Sequence, residues 1–272
     1  MTTASPAQAA KTNAITQSWA LSVRAIVRFA RQPTSWIPGT IFPLLLVAVN
    51  SSAMSRVTMI DSAGFPPGTN FLMFLLPAAI IQGVMFGGIN GGAELATDIQ
   101  TGFFDRMVSS PVSRSSILIG RLGGAMAFAG AQAVLFQLIL WPFGADVVAG
   151  IPGRLILVAV AVVLALGFGA LAAGVAARSG QAEAVQGFFP LVFITLFLSS
   201  CFFPTSLMTG WYRAIAEWNP ITFMVDGMRH QVMYGLSWSE AAIALGTAAA
   251  ICVLGLWFAV TGVRRRIESG GV

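Results

Sequence analysis

The stretch FLMFLLPAAIIQGVMFGGINGGA (Phe71–Ala93) runs straight into ELATDIQTGFFDRMVSSPVSR (Glu94–Arg114). The first part carries no charge over the length that a helix needs to cross a bilayer core, about 20 residues for about 30 Å. The second gathers three acidic residues, Glu94, Asp98 and Asp105, and two basic ones, Arg106 and Arg114. Over its 272 residues the chain is 56% hydrophobic and only 9% charged. A soluble domain carries about 25% charged residues, so this chain fits a lipid surround better than water. Its charge is then informative wherever it collects.

Six segments approach spanning length: about 36–54, 71–93, 117–140, 155–177, 185–203 (interrupted by Pro190) and 241–263. The expected fold is therefore an all-α membrane protein of six transmembrane helices. It divides into a cytoplasmic N-terminus with an amphipathic interfacial helix (1–35), the six-span domain (36–263) and a basic cytoplasmic tail (264–272). Six spans leave both termini on one side, and basic residues mark the cytoplasmic side. Lys11, Arg24, Arg28, Arg31, Arg106, Arg114, Arg121, Arg178, Arg264, Arg265 and Arg266 fall on the side of the termini. Arg56, Arg154, Arg213 and Arg229 fall on the other. Both termini and the tract 94–114 are thus expected in the cytoplasm. The net charge of +5 reads as membrane topology rather than a nucleic-acid surface.

Before the first span, Arg24, Arg28 and Arg31 share one helical face beside Trp19, Val23, Ile26 and Val27, the pattern of a helix lying in the membrane interface. Gly83, Gly87 and Gly91, and likewise Gly88 and Gly92, recur every four residues along the second span. Such spacing lets helices approach closely, within one chain or between two.

Several function classes are disfavoured. The only Lys is Lys11, so the body of the chain has no phosphate-binding loop of the G-x-x-x-x-G-K-[ST] type. The spans hold neutral polar residues, such as Gln82, Asn90, Gln132 and Gln137, and almost no ionisable ones. Ion-coupled carriers need charged groups in the membrane, so an energy source outside the bilayer is expected. The one histidine, His230, lies one turn after Asp226. Together they are a slender basis for a membrane-embedded enzyme and read more simply, with Arg229, as the wet face of an external helix. Cys201 and Cys252 have no metal-site spacing.

The segment 204–240 is rich in aromatic residues suited to the headgroup level: Trp211, Tyr212, Trp218, Tyr234 and Trp238. Asn219-Pro220 should divide it into two short helices, because the residue before Pro is pushed out of helical geometry. This external re-entrant segment, with Trp218, Asn219, Pro220, Asp226 and Arg229, is a candidate outer gate.

Two stretches, WNPITFMVDGMRH (Trp218–His230) and the tract TGFFDRMVSSPVSRSSILIGRL from Thr101, resemble the signature regions of ABC-2 type transporter permeases. The overall flavour is similar to the daunorubicin-resistance type of bacterial export permease. The resemblance covers most of the chain. It implies the permease subunit of an ATP-driven exporter in a bacterial cytoplasmic membrane. It also implies two copies of a separate cytoplasmic ABC ATPase, which bind ATP and Mg2+, and a second permease, identical or not. This chain would hold no cofactor of its own. The N-terminal helix would be a connecting helix and the loop after span two a coupling helix. The path would lie between the two permeases, along spans two and five and parts of span one. Met85, Phe86, Phe193 and Phe197 offer soft apolar surface there. Substrates implied are drugs, lipids or lipid-linked glycans. A non-transporting scaffold or sensor subunit is the rival reading.

Within the tract, Glu94 and Asp98 share a helical face, Gly102 allows a bend, and Pro111 closes a short helix. Phe103 with Met107 and Phe104 with Val108 form apolar pairs, Asp105 and Arg106 would set the docking register, and Arg114 completes the candidate coupling set. Those aromatics either anchor an ATPase groove or bed the loop on the inner leaflet. If they anchor the ATPase, a Phe104→Ala, Met107→Ala double change cuts substrate-stimulated ATP hydrolysis while membrane insertion is unchanged. Unaltered stimulation removes the docking role.

Overall fold

All regular structure among the described residues is helical. The computed structural model describes residues 33–60, 65–103, 106 and 114–268. Its α-helices are α1 (Pro33–Ala53), α2 (Phe71–Gln100), α3 (Arg114–Leu140), α4 (Gly150–Ser179), α5 (Ala182–Phe197), α6 (Gly210–Trp218), α7 (Pro220–Met233) and α8 (Trp238–Glu268). The proposed interfacial helix before Pro33 lies outside the described residues.

Five helices, α1 to α4 and α8, are long and apolar enough to cross a membrane. The expected fifth span differs. α5 has 16 residues, about 24 Å at 1.5 Å per residue, which is short of a bilayer core. It also ends at Phe197 rather than Phe203, and Pro190 sits inside it without interrupting it. Lipid-embedded helices tolerate proline where neighbours re-satisfy the freed groups. The long helices overshoot the apolar runs. α2 continues through Glu94 and Asp98 to Gln100, so that stretch is helix rather than loop.

The chain has two ends. At the basic end, Arg178 Nη1 donates to the Phe258 carbonyl at 2.7 Å, and its guanidinium lies 3.7 Å from the Phe258 ring centre. Arg178 Nη2 also donates to Thr261 Oγ1. At the other, aromatic end, Asn70 caps α2 by accepting from Met73 N–H at 2.9 Å. The same side chain donates to the Gly144 carbonyl after α3, also at 2.9 Å. One amide thereby fixes where two helices start and stop relative to each other.

α2 and α4 form the centre, with α8 and α3 packed on α4 and α1 on α2. The glycine rows divide by direction. A Cβ on Gly88 would meet Phe168 at 2.9 Å, and one on Gly92 would meet Ala172 Cβ at 2.4 Å. These two set the close approach of α2 to α4 within the chain. Gly91 has nothing within 4 Å. Gly83 lies under Gln132, whose Nε2 donates to Gly39 O at 2.9 Å and Thr40 Oγ1 at 3.2 Å. That amide ties α1, α2 and α3 together.

Gly92→Ala should lower the thermal unfolding midpoint in detergent, since overpacking a tight contact costs about 1–3 kcal/mol. Gly91→Ala should not lower it, because alanine is about 1 kcal/mol better than glycine inside a helix. Equal effects at the two positions would remove the assignment of Gly92 to the α2–α4 contact.

Candidate functional site

Two features stand out, a column of phenylalanines along one face and a polar knot at the aromatic end. The column starts from periodicity: Phe189, Phe193 and Phe197 recur every four residues on α5, so they stack along one helix face. Phe189 and Phe193 have ring centres 5.2 Å apart, and Phe193 and Phe197 5.0 Å apart. Phe86 of α2 meets Phe189 at 4.9 Å and Phe193 at 6.5 Å. Phe42 of α1 meets Phe86 at 5.7 Å and Phe193 at 6.0 Å. Phe202, past the end of α5, continues the column from Phe197 at 4.8 Å. The rings are tilted, edge-on or offset, the arrangements aromatic pairs prefer. Phe42 and Phe197 remain exposed and Phe86, Phe189 and Phe193 half-buried, so these five form an open face, which runs into the core at buried Phe202.

The structure thus brings Phe86, Phe193 and Phe197 together and leaves Met85 out. Met85 is only 1% exposed and belongs to the main core. One residue is a 100° turn of helix, and Met85 falls on the far side of α2. Phe42 and Phe189 join the column without having been singled out in the sequence. The four-residue spacing from Phe189 to Phe197 was the available signal for the second. The opposite face of α5, including Phe188, Leu191 and Val192, borders an apolar groove of about 710 Å³ beneath α6.

The polar knot forms where α5 stops. A helix end leaves carbonyls without partners, and the chain beyond Phe197 turns through buried Ser199, Ser200, Cys201 and Phe202. Asn219 Nδ2 donates to the carbonyls of Thr195 at 2.7 Å and Leu198 at 3.0 Å. Its Oδ1 accepts from Ile221 N–H at 2.9 Å, capping α7, with Pro220 at the first helical position. Tyr212 of α6 donates to the Phe197 carbonyl at 2.8 Å. Thr222 Oγ1 accepts from Ser200 N–H at 3.1 Å. Arg229 Nη2 donates to the Ser200 carbonyl at 2.9 Å and its Nε to the Phe74 carbonyl of α2 at 3.3 Å. Its guanidinium also pairs with Asp226 and lies 3.6 Å from the Phe74 ring centre.

Arg229 is therefore not on a wet face. It is 7% exposed, held by a carboxylate, two carbonyls and a ring. Burial pulls its guanidinium below the ordinary value and Asp226 pushes it back up; an arginine stays charged under any such balance. Most of α7 is buried, whereas α6 lies exposed with Trp211 and Trp218 outward. Asp226 is also bound by Ser200 Oγ at 2.8 Å, and His230 Nδ1 has no hydrogen-bond partner. The two do not form the acid–base pair that an embedded enzyme would need.

At the basic end, Asp98 is buried and Glu94 half-buried on α2. Gly102 has φ +68°, the left-handed geometry that stops a helix, and Arg106 N–H returns to its carbonyl at 3.3 Å. Arg106 lies 5.9 Å from the Phe103 ring centre. Phe104, Asp105, Met107 and Pro111 lie outside the described residues, as does the side chain of Arg114. No group of three or more His, Cys, Asp or Glu among the described residues is placed to hold a metal ion.

With this geometry in view, comparison with known proteins is specific. The family model described as ABC-2 type transporter matches residues 16–233. The daunorubicin resistance ABC transporter permease protein DrrB1 of Streptomyces coeruleorubidus is 27% identical over 91% of this chain and 85% of its own. The probable doxorubicin resistance ABC transporter permease protein DrrC of Mycobacterium tuberculosis is 24% identical over 85% of this chain and 82% of its own. The putative transport permease ycf38 of Porphyra purpurea is 24% identical over 78% and 72%.

Asn219→Ala should destabilise the folded protein by at least about 2 kcal/mol, combining a lost cap with two stranded carbonyls. Asn219→Asp keeps the cap but turns a carboxylate toward those carbonyls, so it should do no better. Thermal unfolding of Asn219→Asp at the unaltered midpoint would show that the bridge to α5 carries no weight.

Proposed function

The chain belongs to the ABC-2 type transporter family, and on that premise we propose that it is the membrane subunit of an ABC exporter for an apolar or amphipathic molecule. The observation that carries the reading is the phenylalanine column. It runs along α1, α2 and α5, is open on one side, and has no charged side chain among its members. Aromatic faces hold apolar bodies of varied shape by burial alone, about 25 cal/mol per Å² of apolar surface. A surface of this kind suits a subunit that must both take up and release its cargo.

Energy comes from outside the bilayer in this reading. Two copies of a cytoplasmic ABC ATPase bind ATP and Mg2+, and a second permease completes the path opposite the column. The basic end faces the cytoplasm, in keeping with its Arg178, Arg264, Arg265 and Arg266. The turn at Gly102 and the segment after it form the docking element. ATP binding draws the docking elements together, and the helices tilt so that affinity for cargo differs between the two states, as any driven shift requires. The exposed row on α1, Ile37, Ile41, Leu45 and Val49, faces lipid or the second permease.

The test is reconstitution with the partner ATPase in proteoliposomes, following ATP-driven movement of ethidium and of a fluorescent phosphatidylethanolamine. Phe193→Ala and Phe86→Ala are expected to cut transport of the accepted probe several-fold while ATP hydrolysis without cargo is retained. Transport of neither probe, with the ATPase bound and active, would favour a scaffold or sensor subunit. Full transport by both variants would move the path elsewhere.

A further inference from the structure

A cavity of about 390 Å³ opens at the aromatic end, between the start of α2, the 204–206 turn, α7 and the start of α8. Its size falls within the range of small-molecule sites, about 300–1,000 Å³. Asp226, Arg229, His230 and Glu240 line it, with Phe74 and Tyr234 supplying aromatic wall.

Among the described residues, the charges lining this cavity do not cancel. Arg229 is the only basic residue among the described ones that line it, apart from the histidine. Its guanidinium is already committed to Asp226 and to the Ser200 and Phe74 carbonyls, and the Phe74 ring covers its face. An anion entering the cavity would have to compete with those bonds. Glu240, in the first turn of α8, forms no ion pair among the described residues, so among them its carboxylate is the one left without a cation. The His230 ring stacks on Tyr234 with centres 5.1 Å apart, and a phenol face attracts cations.

We propose that this cavity binds a protonated organic amine. The ammonium group sits against the Glu240 carboxylate and the Tyr234 face, and the apolar remainder lies along Phe65 and Phe74. Its role rests on the exporter reading: at the aromatic end it is a release-side station for amine-bearing cargo. The site itself does not depend on that reading.

The purified full chain in detergent micelles is titrated with dansylcadaverine, a fluorescent primary amine, and with its N-acetylated form, which has the same body and no charge. The amine should bind about tenfold tighter or better, a difference of ~1.4 kcal/mol. Glu240→Gln should erase that preference at an unchanged unfolding midpoint. Equal binding of the two probes by the unaltered protein overturns the proposal whether or not the variant folds. So does a Glu240→Gln protein that keeps the preference. Amine binding without any ATP-driven transport leaves the site standing and defeats the exporter reading, while transport by a chain with no amine preference does the reverse.

Discussion

A helix that ends inside an apolar bundle must have its carbonyls satisfied by protein, and the end of α5 is where this chain meets that demand. In hydrocarbon each unsatisfied backbone group costs several kcal/mol. Asn219 answers for Thr195 and Leu198, Tyr212 for Phe197, and Arg229 for Ser200. All three donors come from the segment that follows. That segment therefore folds back onto the bundle as two short helices instead of crossing the membrane or trailing outside it. The Asn219 amide works in both directions, since its oxygen starts α7 while its nitrogen finishes α5. α7 is then fixed at its far end too, where Val148 and Ala149 N–H groups take the Val232 and Gln231 carbonyls.

Much else follows from that fixed position. α7 presses Arg229 against Phe74 at the start of α2, so the polar knot joins α2 to the end of α5. These are the two helices that also carry most of the phenylalanine column. The column and the amine-binding cavity proposed beside His230 are thus two faces of one assembly, one apolar and one polar, set by the same short helix. At the opposite end, the close α2–α4 contact at Gly88 and Gly92 leaves little slack. Packed interfaces shift between discrete arrangements rather than deforming smoothly. A pull on the turn at Gly102, which follows α2 directly, would under the proposed coupling move α2 and α4 together.

The sequence makes some of this legible for identifiable reasons. Spans announce themselves through unbroken apolar runs. Asn219-Pro220 marks a helix junction because proline constrains its predecessor and asparagine caps. Gly102 marks a turn because it separates two helical patterns and takes φ without penalty. What stays hidden depends on direction around a helix. α2 is apolar on every side, so no stripe distinguishes Met85, in the core, from Phe86, on the open face. The same uniformity hides which glycine row meets α4. Pro190 reads as a break by its type alone. In the structure it lies in the exposed part of α5 and the helix passes through it.

Arg229 is the instructive case, because a charge in an apolar chain reads by default as a surface group. Its burial depends on partners far apart in sequence: a carbonyl and a ring from α2, a carbonyl and a hydroxyl from the turn after α5, and a carboxylate one turn earlier on its own helix. No local pattern announces the four of these five groups that lie outside its own helix. Replacing the guanidinium with an uncharged group would leave Asp226, which solvent still reaches, without its cation and the Ser200 carbonyl without this donor, and a stranded buried acceptor costs about 1–3 kcal/mol. A lysine could supply the charge but not the planar fork that reaches the carboxylate and both carbonyls at once. The residue type is therefore set by the geometry of the helix end it serves. That also explains why the positive charge lies at the end of the chain where basic residues are otherwise sparse.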